Sequence, residues 1–228
     1  MIIAHRGANS FAPENSLSAF EKALEIGCDG IEMDLRFTAS GDVVVFHDRN
    51  LYRMTGFRGR VQQMDLSAIR KCPLHEVSEH IIPTLQEALE LIRDRALIIL
   101  DIKKESLRKN GFEEKICQIL KDFRLVDNVV ISSFNPLVLK NIFRIAPQFH
   151  LGFIFRSRSH IFMSNGTPLR SLHARYRILS ARYVTTLQQQ GYRIYAWTID
   201  KADQMWKVVR KGVDGIITNK PEIFYQNI

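Results

Sequence analysis

Short runs of apolar and β-branched residues recur along the chain. Between them lie longer stretches whose apolar positions return every three or four residues. The short runs fall at residues 2–5, 30–35, 43–47, 97–103, 129–134, 150–155, 171–176, 193–199 and 215–219, and the helical periods at 16–26, 85–93, 112–123, 136–145, 180–190 and 201–211. Strands alternating with helices predict crossover connections and a parallel sheet. About eight such strands within 228 residues fit an α/β fold of the (β/α)8 TIM-barrel type better than an open sheet. No Gly-x-Gly-x-x-Gly follows the first strand, which removes the main signature of a dinucleotide-binding sheet. The stretch 48–83 breaks the alternation, with an irregular Arg/Gly segment and a short helix opening near Asp65-Leu66-Ser67. The expectation is one domain over 1–228 with a small insertion, about 49–82, after the second strand region.

Gly27-Cys28-Asp29-Gly30-Ile31-Glu32 is echoed by Gly212-Val213-Asp214-Gly215-Ile216-Ile217. Both join a helix end to a strand through a glycine suited to a left-handed turn. The echo supports the architecture and carries no chemistry.

Composition narrows the class. Hydrophobic residues make up 46% and charged residues 25% of the chain, the balance of a globular protein. No apolar run approaches the roughly 20 residues that cross a bilayer. Cys28, Cys72 and Cys117 have no Cys-x-x-Cys spacing, which argues for a reducing compartment and against a disulfide frame or zinc site. The chain starts Met1-Ile2-Ile3-Ala4 and reaches His5-Arg6 at once, with neither a basic nor a long apolar leader region, so the cytoplasm is the expected location. A net charge of +8 attracts phosphate esters, nucleic acid or an anionic membrane surface alike.

The residues suited to chemistry gather at strand ends. Glu32 and Asp34 stand at i and i+2 in a strand, so both carboxylates point the same way. Converging acids call for a cation, and hard divalent ions take oxygen ligands. His5-Arg6 and His47-Asp48 end two further runs, and Asp101 and Lys103 repeat the i, i+2 pattern. In a barrel, catalytic groups lie at the C-terminal ends of strands, where all of these fall.

With these motifs the sequence resembles the glycerophosphodiester phosphodiesterase family. The likeness is carried by His5-Arg6-Gly7, Ala12-Pro13-Glu14-Asn15-Ser16, Glu32-x-Asp34 and His47-Asp48. It continues through Pro83-Thr84-Leu85-x-Glu87, Asp101-x-Lys103, Ser132-Ser133-Phe134, Ala196-Trp197-Thr198 and Gly212-Val213-Asp214-Gly215-Ile216-Ile217-Thr218. The resemblance implies a (β/α)8 barrel that hydrolyses glycerophosphodiesters to an alcohol and glycerol 3-phosphate. It implies His5 and His47 as general acid and base, and Glu32, Asp34 and Asp101 holding a divalent ion, Mg²⁺ or Ca²⁺. Arg6 and Lys103 would grip phosphate. Three positions depart from the family's usual pattern, one being Ala174 after His173, where the family often has proline. Asp101 stands where glutamate is usual, which suggests a water between its shorter side chain and the ion. Asn219 stands where aspartate is frequent, a change expected to be minor.

Other residues have milder readings. Asn15 or Ser16 suits a helix N-cap, and Glu14 would brace the loop under His5. Trp197 faces the substrate's apolar part or packs inside the barrel, and His173 lines the site or the core. His75, His80, His150 and His160 have no motif context. Arg156, Arg158, Arg170, Arg175, Arg177 and Arg182 form neither a helix stripe nor an aromatic-interleaved platform. They read as a solvated rim, so nucleic acid is not the expected partner, while peripheral contact with an anionic membrane stays open. The expected partner is a small glycerophosphodiester, and nothing in the sequence sets the oligomeric state. Two rival functions remain. One is a lysophospholipid-cleaving phosphodiesterase with an acyl groove from Leu51, Phe57, Phe153, Phe155 and Phe162. The other is a phospho-ligand binding module without turnover.

Overall fold

Eight parallel strands close into a ring, and a ninth lies antiparallel beside one of them. The computed structural model describes residues 1–76, 80–104 and 110–225. The strands are β1 (Ile2–His5), β2 (Gly30–Phe37), β3 (Val43–Val45), β4 (Leu97–Ile102), β5 (Val129–Ser133), β6 (His150–Phe155), β7 (Ser171–Arg175), β8 (Arg193–Trp197) and β9 (Gly215–Thr218). Their order is β1-β9-β8-β7-β6-β5-β4-β2, and β1 closes the ring by pairing with β2. The expected barrel is therefore formed. The run at 43–47 corrects the reading of an all-parallel set. It pairs antiparallel with β2, Leu35 opposite Val45 and Phe37 opposite Val43, above the point where β1 leaves β2 at His5 opposite Glu32.

Strand alternation sorts the side chains into two cores. Ala4, Ile31, Met33, Ile98, Leu100, Ile131, Phe153 and Phe155 point outward and pack in the main core with the surrounding helices. Ile3, Ile99, Val130, Tyr195 and Ile217 point inward and fill the bottom of the barrel. Each fully buried aliphatic or aromatic side chain contributes roughly 1.5–3 kcal/mol. Large inward residues need space opposite them. A Cβ at Gly215 would stand 2.6 Å from the Tyr195 ring, and one at Gly152 would stand 2.6 Å from His173 Nε2.

The helices are α1 (Leu17–Ile26), α2 (Tyr52–Thr55), α3 (Leu66–Ile69), α4 (Leu85–Ile92), α5 (Phe112–Asp122), α6 (Pro136–Ile145), α7 (Ala181–Gln189), α8 (Ala202–Val209) and α9 (Glu222–Tyr225). Their ends follow local chemistry. Ser16, not Asn15, caps α1 by accepting from Ala19 N, and Gly27 ends it in a left-handed turn. The repeated Gly-x-Asp-Gly segments have a structural use: Asp29 accepts from Ile2 N and Asp214 from Ile194 N, each tying down the first residues of a neighbouring strand.

The insertion builds its own small core from Val44, Phe46, Leu51, Met54, Val61, Ile69, Cys72, Leu74 and Ile82. Residues 77–79 of the expected insertion lie outside the described set. The chain returns through Thr84 and Glu87, which form a capping box on α4. Arg70 grips both Glu87 oxygens at 2.7 and 2.6 Å. The Pro-Thr-Leu-x-Glu motif is thus a clamp between insertion and barrel.

Candidate active site

The parallel register places the acidic residues in one row. Asp34 lies opposite Asp101, and Asp101 opposite Ser132, while Glu32 sits one inward step below Asp34 on β2. Glu32, Asp34 and Asp101 are all buried, and each offers an oxygen within 4.8 Å of the others. Two cations answer them. Lys103 Nζ pairs with Asp34 at 2.9 Å and also with Asp101. Arg6 pairs with Asp34 at 3.0 Å and with Glu14 at 2.9 Å. The two residues expected on phosphate are here counter-ions of the carboxylate row.

Burial pushes the Glu32 carboxyl well above its usual range, and repulsion from Asp34 and Asp101 adds to it. Asp101 is raised by burial against the pull of Lys103. Burial also works upward on Asp34, but Lys103 and Arg6 outweigh it and hold the group down. This is a carboxylate cluster short of positive charge. Asp101 Oδ1 is buried with no hydrogen-bond partner among the described residues. Three converging oxygen donors with a deficit of positive charge fit a hard divalent cation. The spacing also bears on the expected water at Asp101: its oxygen already lies within the same span as those of Glu32 and Asp34, which suits direct ligation.

His5 ends β1, and His47 stands two residues beyond β3. Both line one pocket of about 130 Å³ with Arg6, Glu32, Asp101 and Lys103. Their tautomers follow from their partners. Asn219 Nδ2 donates to Asp200 at 2.8 Å, so its Oδ1 is free to accept from His5 Nδ1 at 2.7 Å. His47 Nδ1 donates to Asp48 Oδ1 at 2.6 Å. Both rings therefore keep Nε2 as the working nitrogen. Burial, assisted by the charge of Arg6, lowers the His5 pKa to about 4.

Several contributors were not legible as such. Asn15, expected only as a possible cap, clasps Asp34: its Nδ2 donates to Oδ2 at 2.9 Å and its Oδ1 accepts from the Asp34 backbone at 3.2 Å. Asn219, expected to be minor, orients His5. Glu14 does brace the loop, and does so by joining Arg6 to Arg53 of the insertion. Arg53 also holds Asp48, so one chain of charges runs from Asp34 to the partner of His47. Trp197 and His173 both line the pocket, and Trp197 Nε1 donates to the His173 carbonyl at 2.9 Å. Phe134 and Arg156 line it too; Arg156 was grouped with a solvated rim because sequence spacing ignores where loops converge. His75, His80, His150 and His160 are not among the pocket residues.

The proposed acyl groove is corrected. Leu51 lies in the insertion core, and Phe153 and Phe155 are buried between strands and helices. Only Phe57 and Phe162 of that group are exposed.

Comparison with known proteins gives the family and the fold. Residues 5–223 match the model of the glycerophosphoryl diester phosphodiesterase family. A glycerophosphodiester phosphodiesterase of Caldanaerobacter subterraneus subsp. tengcongensis is 34% identical over 97% of this chain and 95% of its own. The crystal structure of a glycerophosphodiester phosphodiesterase from Thermotoga maritima superposes with a TM-score of 0.84 at 26% identity, covering 100% of this chain and 97% of that one. A phosphodiesterase from Oleispira antarctica, solved with the product sn-glycerol-3-phosphate, shares the fold at a TM-score of 0.87 and 24% identity over 99% and 95% of the two chains. The chain belongs to the glycerophosphoryl diester phosphodiesterase family.

Proposed function

We propose that the protein hydrolyses glycerophosphodiesters to an alcohol and glycerol 3-phosphate, using His5 and His47 as proton carriers beside a divalent ion on Glu32, Asp34 and Asp101. The observation that carries this reading is the meeting of both histidines with Glu32 and Asp101 of that cluster in one pocket. An ion bound there supplies charge that offsets the negative phosphoryl oxygens.

The partners of the two rings divide the labour. Burial first, then the charge of Arg6, favours the neutral form of His5 against the opposite pull of Asp34 and of the Asn219 bond. His47 gives its Nδ1–H to the Asp48 carboxylate, which fixes the ring and leaves Nε2 for the substrate. His5 Nε2 takes a proton from the attacking water as its oxygen bonds to phosphorus. His47 Nε2–H gives a proton to the alkoxide as the old P–O bond breaks. Asn219 and Asp48 hold the rings in the required tautomers. Arg6 and Lys103, at the edge of the cluster, meet the phosphate oxygens with their remaining donors.

The test is release of glycerol 3-phosphate from glycerophosphodiesters by the parent, His5→Ala and His47→Ala proteins. Removing either proton carrier should cost roughly 10²- to 10⁴-fold in kcat with an unchanged melting curve. Near-full activity in a folded variant would remove that histidine from the mechanism.

A further inference from the structure

Arg156 follows β6 directly and lines the pocket on which both histidines converge. Its guanidinium carbon lies 5.1 Å from the Phe134 ring centroid and 5.9 Å from that of Trp197. Those rings meet edge to face at 5.6 Å. The Lys103 ammonium stands 5.8 Å from the Phe134 centroid. Arg156 is exposed, and its recorded contacts among the described residues are these two rings. Its planar set of N–H donors is therefore open toward the mouth of the pocket.

The pocket has two ends of different character. Ser132, His173 and Ile217 close its floor and are buried, while Phe134, Trp197 and Arg156 form a more open side. The whole pocket, open side included, holds only about 130 Å³, so the constant glycerol phosphate is taken to sit at the closed end beside the carboxylates. The variable alcohol then lies toward the open side. Two aromatic faces at such a mouth would ordinarily attract a quaternary ammonium. Here a guanidinium already covers them, and a second cation must displace it or meet its charge. Hydroxyl or carboxylate oxygens, in contrast, find unpaired donors.

We propose that Arg156, laid against Phe134 and Trp197, is a specificity-determining residue that selects alcohols rich in oxygen acceptors, polyols and anionic alcohols, and rejects quaternary ammonium headgroups. The inference rests on the phosphodiesterase reading above and names the substrate class of that site.

The experiment compares kcat/KM for glycerophosphoinositol and glycerophosphocholine in the parent, Arg156→Ala and Arg156→Lys proteins. The parent should prefer the inositol ester by about tenfold or more, and Arg156→Ala should shrink that ratio by about tenfold. Arg156→Lys keeps the charge without the planar fork. It should lose activity on the inositol ester while its activity on the choline ester stays low. A parent that prefers the choline ester, or an Arg156→Ala protein that changes on both esters in parallel, overturns the inference while leaving the phosphodiesterase reading intact. A parent that releases glycerol 3-phosphate from no diester overturns both.

Discussion

Asp101 stands between Asp34 and Ser132 in the strand register, and its Oδ1 is buried without a hydrogen bond among the described residues. The family resemblance suggested glutamate there and hence a bridging water. The spacing to Glu32 and Asp34 favours a direct bond instead. Asp101→Ala should weaken binding of Mg²⁺ and Ca²⁺ in calorimetric titration, and Asp101→Glu should gain nothing because a longer side chain crowds the row. Tighter Mg²⁺ binding by Asp101→Glu would restore the water bridge. His173 offers a second test at this scale. It is fully enclosed, bonded to Ser171 Oγ at 2.9 Å, and its pKa is lowered by burial to about 3. The unfolded chain protonates this group near 6.5, so between about 6.5 and 3 the unfolded state binds more protons. Stability from this residue is complete above about 6.5 and falls as pH falls. The stability gap between the parent and His173→Gln should shrink by roughly 2 kcal/mol between pH 7 and 4.5. A gap independent of pH would mean that native His173 takes up its proton at the same pH as the unfolded chain.

Elements bring together what the chain keeps apart. The strand and helix periods were plain because two alternating faces and amphipathic helices leave strong patterns, and Glu32-x-Asp34 was readable for the same reason. Asn15, Arg53 and Asn219 were not, since each acts through a partner whose position depends on loop geometry: Asp34, Glu14 with Asp48, and His5. Asn15 reaches Asp34 because the loop after β1 folds back under the strand end, with Asn15 N donating to the Arg6 carbonyl at 2.9 Å. The antiparallel β3 also escaped, since a three-residue run of valines has no direction in sequence. The inward glycines are a further case, because close approach inside the barrel leaves no periodic mark. Gly152→Ala would press against His173 Nε2 and Ser171 Oγ, at 2.6 and 2.7 Å. Overpacking of this kind costs roughly 1–3 kcal/mol. Thermal unfolding should show that loss, and an unchanged melting temperature would show that β6 and β7 separate freely.

At the scale of the whole molecule, the eight-strand ring gathers groups more than 200 residues apart in sequence, such as His5 and Asn219 with |i−j| of 214, onto one rim. The insertion completes that rim by supplying Arg53, whose contacts to Glu14 and Asp48 join the loop after β1 to the segment that carries His47. A net charge of +8 draws anionic esters toward it. No described helix is long and apolar enough to cross a membrane. The carboxylate row is the part of this arrangement with too little positive charge of its own, and a divalent ion is what would complete it. The most direct measurement is glycerol 3-phosphate release from a glycerophosphodiester by chelator-dialysed protein, before and after addition of Mg²⁺ or Ca²⁺. Negligible release is expected without metal and recovery on addition of either ion, with no unique need for zinc because the donors are carboxylate oxygens. Full activity after exhaustive chelation would contradict it.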